Sequence, residues 1–137
     1  MSIPVLGVIL AAASAFVVGG AWYAPGTFLP RWQKITGTDD AHMKKAFGSA
    51  MGIDAVAALV LAYVLAHFIS YTDQVNGVSG ISGGLATAFW AWLGFSATTI
   101  LVNTALDKRD KGIILIQAGE RLVTFLLMGL ILGAFMR

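Results

Sequence analysis

The stretch Phe47–Tyr71 reads FGSAMGIDAVAALVLAYVLAHFISY, and its length and character decide the fold. Apart from its two tyrosines, it contains only Asp54 and His67 as ionisable side chains. The hydrocarbon core of a bilayer is about 30 Å thick, and a helix of about 20 apolar residues crosses it. The stretch therefore predicts a transmembrane helix.

Three further stretches have the same character and are interrupted by short polar breaks. They cover residues 3–23, 81–106 and 112–136, and the breaks are 24–46, 72–80 and 107–111. The length of 137 residues fits one domain. The sequence thus predicts an all-α fold, an integral membrane bundle of four transmembrane helices spanning residues 1–137, with the loop 24–46 as its one sizeable connection.

The composition supports a membrane protein and argues against several classes of function. Hydrophobic residues make up 58% of the chain and charged residues 12%, whereas a soluble domain has about 25% charged residues. The absence of cysteine excludes disulfides, thiolate metal sites and cysteine nucleophiles. The chain also lacks nucleophile-elbow, P-loop and dinucleotide-binding motifs. We therefore expect a protein that is not an enzyme, with no catalytic residue or metal site, and the sequence leaves any cofactor unknown.

The basic residues predict the orientation of the bundle. Cytoplasmic loops of membrane proteins carry an excess of lysine and arginine. Seven such residues lie in the first and third loops, against Arg137 alone in the remaining extramembrane segments. We therefore expect loops one and three in the cytoplasm and both termini on the other side. This clustering in loops is also unlike a nucleic-acid-binding face. The seven are Arg31, Lys34, Lys44, Lys45, Lys108, Arg109 and Lys111.

The first loop has the features of a connector that lies on the membrane surface. Trp22, Tyr23 and Trp32 are amphipathic rings of the kind that favour the headgroup level. Proline in the segment 25–30 prevents the first helix from continuing. Thr38 precedes two aspartates and is typical of a helix N-cap. The second helix is therefore expected to begin near residue 39, before it enters the bilayer.

Small residues recur at helical spacing in three of the predicted spans. Such residues let transmembrane helices approach closely. We consider two explanations, packing inside the bundle and contact with another protein chain, with the first helix as the preferred docking surface. The strips are Gly7, Ala11, Ala15 and Gly19 in the first span, Gly48, Gly52, Ala55, Ala58, Ala62 and Ala66 in the second, and Gly129 and Gly133 in the fourth.

A polar cluster is expected inside the membrane, near its cytoplasmic side. Asp54, Glu120 and Arg121 lie at similar depths, about 10–14 Å from the cytoplasmic ends of their helices at 1.5 Å per residue. Burying a charge in the bilayer is costly unless it has a partner, so we expect Arg121 to contact one of the two acids. The cluster either fixes the helix register or forms a relay or substrate site. Gln117 belongs to the same face of the fourth helix, and Asn103 lies at a shallower level.

His67 lies near the outer end of the second span. A single histidine can serve as an axial ligand of a haem or chlorophyll. A histidine near a membrane interface is also commonly just a polar group at a helix end. No other potential ligand lies at metal-binding spacing from it.

Several motifs together resemble a known family of bacterial membrane proteins, domain-of-unknown-function family 1761. The resemblance begins with Gly20-Ala21-Trp22-Tyr23-Ala24-Pro25, followed by Phe28 and Trp32, and continues with Trp92-Leu93-Gly94-Phe95, Thr98-Thr99 and Asn103. It ends with Leu127-Met128-Gly129-Leu130-Ile131-Leu132-Gly133. The chain departs from the family pattern at Gln117-Ala118-Gly119-Glu120-Arg121. The resemblance implies four helices, a multi-pass location in the bacterial cytoplasmic membrane, and no assigned activity.

Two functional hypotheses follow from these patterns. The first is a non-catalytic accessory or structural subunit that docks onto other transmembrane chains of a larger complex in the lipid bilayer. The alternative is a small homo-oligomeric transporter or channel for protons or small solutes that uses the intramembrane acids. A membrane enzyme is disfavoured because Arg121 is the one cationic residue in the predicted spans.

Overall fold

A computed structural model describes residues 3–136 of the chain. Met1, Ser2 and Arg137 lie outside the described residues. Arg137 is the basic residue that stood against the seven loop residues in the charge comparison above. Within the described range the regular structure is helical throughout, without strands. The helices are α1 (Val5–Trp22), α2 (Leu29–Thr36), α3 (Asp40–Asn76), α4 (Gly80–Ala105) and α5 (Gly112–Phe135).

The predicted all-α bundle of four long apolar helices is confirmed. The four helices α1, α3, α4 and α5 are long and apolar enough to cross a membrane. The helix α3 has 37 residues and is longer than the predicted span. It begins at Asp40, within the predicted loop 24–46. Its N-cap is Asp39 rather than the predicted Thr38, because the Asp39 carboxylate accepts a hydrogen bond from the His42 backbone N–H at 2.8 Å. The side of the membrane on which the termini lie stays a prediction.

The first loop contains a short helix that the sequence analysis did not predict. The helix α2 has proline in its first turn and ends at Gly37, whose φ of 73° is the left-handed conformation that glycine adopts easily. Thr27 closes the turn before it, because its hydroxyl lies 2.7 Å from the carbonyl oxygens of both Ala21 and Trp22. Rather than extending as an irregular connector, the chain therefore folds back beside the end of α1.

Alanines fill the part of the core where α1, α3 and α4 meet. Ala11, Ala62, Ala66 and Ala88 have no exposed surface. Without a hydrophobic effect between helices in lipid, this close packing is what holds such helices together. The larger side chains Leu65, Met128 and Leu132 fill the remaining space between them.

Glycines form a closer contact between α4 and α5, which run antiparallel. A Cβ atom added at Gly129 would lie 3.0 Å from the carbonyl carbon of Gly84 and 2.7 Å from the Cβ of Ala88. A Cβ added at Gly133 would lie 3.0 Å from the carbonyl carbon of Gly80. The backbones of α4 and α5 therefore touch along a glycine seam, defined here as Gly80, Gly84, Gly129 and Gly133.

The N-terminal half of α3 stands apart from this bundle. The first buried residue of α3 is Ala58, eighteen positions after the helix begins at Asp40. Residues 47–53 are all exposed, and seven consecutive residues cover every face of a helix. No other described helix of the chain therefore packs over this segment.

Candidate functional site

An ion pair on α5 forms the centre of the predicted polar cluster. The Arg121 guanidinium donates to both carboxylate oxygens of Glu120, with its Nε 2.8 Å from Oε2 and its Nη2 3.0 Å from Oε1. The Thr124 hydroxyl donates to Oε1 of the same carboxylate at 3.1 Å. The Glu120 side chain is 7% exposed and the Arg121 side chain 33%. Of the two expected partners for Arg121, the structure forms the Glu120 pair.

Asp54 lies near this pair without bonding to it. Its carboxylate is close enough to act electrostatically on Arg121. It is half-buried, and it makes no hydrogen bond or ion pair within residues 3–136.

Tyr23 completes the surroundings of the ion pair at the end of α1. It lies close enough to Glu120 and Arg121 to interact with both electrostatically. The predicted members Gln117, half-buried, and Asn103, exposed, are not joined to the pair by any side-chain hydrogen bond in the part of the chain described.

Two tryptophans tie other helices to the same stretch of α5. The Trp22 indole donates to the Ile116 carbonyl oxygen at 2.9 Å, and the Trp92 indole donates to that of Ala118 at 3.0 Å. Trp22 was predicted as an interfacial ring, and the structure gives it this additional contact. The role of Trp92 was missed, although an indole N–H within an apolar span signals that an acceptor is needed.

Trp92 also begins a π-helical segment, Trp92–Ala97, within α4. Such segments shift the register of the backbone and are frequent at functional sites. The Thr98 and Thr99 hydroxyls donate to the carbonyl oxygens of Gly94 and Phe95, at 2.8 and 2.9 Å. These bonds satisfy carbonyl groups that the wider turn would otherwise expose to lipid.

The structure corrects the predicted docking strips on α1 and α5. Gly7, Ala11 and Ala15 are buried inside the bundle, and a Cβ added at Gly7 would lie 3.2 Å from the Cβ of Phe135. Gly129 and Gly133 are covered by α4 in the glycine seam. These residues cannot form a lipid-facing docking surface because their own chain occupies it. Gly19 is half-buried and has open space around it.

The small-residue strip on α3 divides into an occupied and an open part. Ala58, Ala62 and Ala66 are buried in the core. Gly48 and Gly52 lie in open space, with no atom within 4 Å of an added Cβ. They belong to the sequence Gly48-Ser49-Ala50-Met51-Gly52, which has the GxxxG spacing of transmembrane helix contacts. We call Gly48 and Gly52 the open seam.

His67 and the remaining potential ligands do not form a metal site in the described range. No group of three or more His, Cys, Asp or Glu residues there is placed to hold a metal ion. His67 lies between Tyr63 and Tyr71, at ring-centroid distances of 4.6 and 6.0 Å. The flanking rings make contacts typical of aromatic packing along one helix face.

Comparison with known protein families shows to which family the chain belongs. The family model described as "Protein of unknown function (DUF1761)" matches residues 6–133. The chain belongs to this family. The DUF1761 match overlaps all four long helices and confirms the predicted family. No curated protein and no solved structure matches the chain.

Proposed function

We propose that this DUF1761 member is a non-catalytic membrane subunit that docks onto a transmembrane helix of another protein through the N-terminal half of α3. The observation that supports this proposal is the open seam, which lies on a segment of α3 that no other described helix covers. The proposed docking surface is therefore on α3, and not on α1 as the sequence alone favoured.

The contrast between the two glycine pairs supports this assignment. In the glycine seam, a Cβ added at Gly84, Gly129 or Gly133 would meet the backbone of the opposing helix. Gly48 and Gly52 have the same four-residue spacing as Gly129 and Gly133, yet they face open space. Glycine in a helix interior costs about 1 kcal/mol relative to alanine. A second helix seated on the open seam would offset that cost.

Asp54 lies on a different face of α3 from the open seam. It is two residues beyond Gly52, which is about 200° around the helix, and its carboxylate is close enough to act electrostatically on Arg121 of the bundle. The open seam itself consists of glycine, so the chemistry favours a docking helix with small residues opposite Gly48 and Gly52.

A leucine substitution at the open seam tests the proposal. Gly48→Leu and Gly52→Leu place their side chains in open space, so we expect the isolated protein to keep its fold. In a gentle-detergent purification, both variants should retain less of any co-purifying chain than the parent protein. Gly20→Leu is the matched control, because Gly20 is also exposed with nothing within 4 Å of an added Cβ.

The outcomes separate docking from a structural role. Loss of the same associated chain in both seam variants, with retention in Gly20→Leu, supports docking at the open seam. Equal retention in all three variants contradicts it. Self-association detected between two differently tagged copies, and lost in both seam variants, would identify the docking partner as a second copy of this chain.

Proton or solute transport is the second candidate function, and Asp54 is the observation that favours it. An unpaired carboxylate beside the Glu120–Arg121 pair can accept and release a proton. Asp54→Asn should abolish a proton flux measured in liposomes if this candidate is right. Thr124→Val is the control for general damage to the cluster. A flux that is absent in the parent protein contradicts transport and leaves docking unaffected.

A further inference from the structure

Two basic segments, far apart in the sequence, converge on one groove beside the bundle. The groove has a volume of about 700 Å³. One wall comes from α2 and the other from the loop between α4 and α5. The lining residues are Pro30, Arg31, Lys34, Ile35, Lys108, Arg109 and Asp110.

The groove has a strong excess of positive charge. Its lining holds four cations and one carboxylate, a net charge of three. That carboxylate is partly used by its own loop, since Oδ1 of Asp110 accepts a hydrogen bond from the Gly112 backbone N–H at 2.7 Å. Lys34 and Lys108 are exposed and form no ion pair with any residue in the range 3–136.

Arg109 is held in place by an acid that does not line the groove. The Asp107 carboxylate accepts a hydrogen bond from the Arg109 backbone N–H at 3.0 Å and pairs with its guanidinium at 2.5 Å. The backbone N–H of Arg109 holds the pKa of Asp107 below its ordinary value of 3.8. Asp107 therefore stays ionised at neutral pH and continues to orient the arginine.

The surroundings place the groove next to the membrane. The helix α2 follows directly after α1, and its Trp32 ring packs edge-on against Tyr23 with centroids 5.8 Å apart. Nearby, Trp22 and Phe28 stack at 4.8 Å. Such aromatic rings favour the headgroup level of a bilayer. We therefore expect the cations of α2 at the level of the lipid phosphates.

We propose that this groove binds the phosphate of an anionic phospholipid headgroup. Basic pockets between membrane helices recognise such headgroups, and each Lys or Arg adds to the attraction. Arginine additionally offers a planar set of donors that matches two phosphate oxygens. Lipid is favoured over a free anion because the acyl chains can continue along the apolar helix surfaces below the groove.

Native mass spectrometry in a neutral detergent tests the proposal with two defined lipids. The parent protein should bind dioleoyl-phosphatidylglycerol more tightly than dioleoyl-phosphatidylcholine, which carries no net charge. The double variant Lys34→Gln, Lys108→Gln removes one exposed cation from each wall. At about fivefold for each cation removed, phosphatidylglycerol should bind about 25-fold more weakly to it.

Lys44 and Lys45 provide the matched control. Both are exposed, lie near the start of α3 within the predicted loop 24–46, and do not line the groove. The variant Lys44→Gln, Lys45→Gln changes the net charge equally and should keep phosphatidylglycerol binding within about twofold. An equal loss in both double variants would show nonspecific charge attraction and overturn the proposal, as would equal binding of the two lipids by the parent protein.

Inorganic phosphate distinguishes the two sources of the anion. Added at millimolar concentration, it should leave phosphatidylglycerol binding unchanged, because it lacks the apolar part of the ligand. Full displacement of the lipid by inorganic phosphate would instead show a site for a soluble anion and overturn the lipid assignment. Displacement by a soluble acidic peptide, at concentrations where phosphate has no effect, would overturn it in favour of a protein segment.

Discussion

Replacement of Gly129 by alanine should destabilise the bundle, although alanine is the better helix former. The added Cβ would lie 2.7 Å from the Cβ of Ala88 and 3.0 Å from the carbonyl carbon of Gly84. Ordinary contacts of this kind are 3.4–4 Å, so α4 and α5 must separate by several tenths of an ångström or more. Overpacking of this type costs about 1–3 kcal/mol, whereas replacing glycine in a helix regains about 1 kcal/mol. The expected net loss is about 0–2 kcal/mol.

Gly52→Ala is the matched control for this prediction. It has the same chemistry on a transmembrane helix, but nothing lies within 4 Å of the added Cβ. Only the gain in helix propensity, about 1 kcal/mol, should remain. The two variants should thus differ by the overpacking cost, about 1–3 kcal/mol in the free energy of unfolding, measured by titration with sodium dodecyl sulfate in a mild detergent. Equal stabilities would refute the glycine seam.

Three further predictions concern the polar cluster, the tryptophan contacts and the orientation. Arg121→Ala should cost about 3 kcal/mol in the same titration because it leaves the buried Glu120 carboxylate unpaired; an unchanged midpoint would mean that Arg121 reaches water instead. Trp22→Phe should cost about 0.5–1.5 kcal/mol through the lost hydrogen bond to Ile116, and a variant as stable as the parent would contradict that contact. A cysteine introduced as Arg109→Cys should resist labelling by an impermeant reagent added outside intact cells, and strong labelling from outside would reverse the predicted orientation.

The four long helices could be predicted from the sequence because lipid imposes a length and a composition on each of them. Their ends were harder to predict, since polar residues can continue a helix beyond the membrane. The start of α3 shows this: the sequence predicted Thr38 as the cap, and the structure has Asp39 in that position, one residue later. The helix α2 was missed because its eight residues lack the length that marks a span.

The partners of the small residues could not be predicted from the sequence. Glycine and alanine at four-residue spacing allow a close contact, but the spacing does not specify which helix makes it. The strips on α1 and α5 face their own bundle, and the strip on α3 divides near Ala58. The basic groove was missed for a similar reason. Its two walls are about 75 positions apart in the chain. A count of basic residues in each loop does not show that the two loops meet.

The Arg121 contact was predicted as one of two alternatives, and helix geometry explains why the choice stayed open. Asp54 and Glu120 are at similar depths, so depth alone does not separate them. Glu120 is adjacent to Arg121 in sequence. The arginine side chain is long enough for its guanidinium to donate to both carboxylate oxygens of Glu120. The closest acid was therefore available without any contact between helices.

Photo-crosslinking in intact cells tests the docking of α3 most directly. A photoreactive phenylalanine analogue is placed at position 52 in one variant and at position 20 in another, where the space is equally open. Docking at the open seam predicts a discrete adduct of this chain with one other membrane protein, or with a second copy, from position 52 and none from position 20. Adducts with lipid alone from both positions would contradict the proposed function.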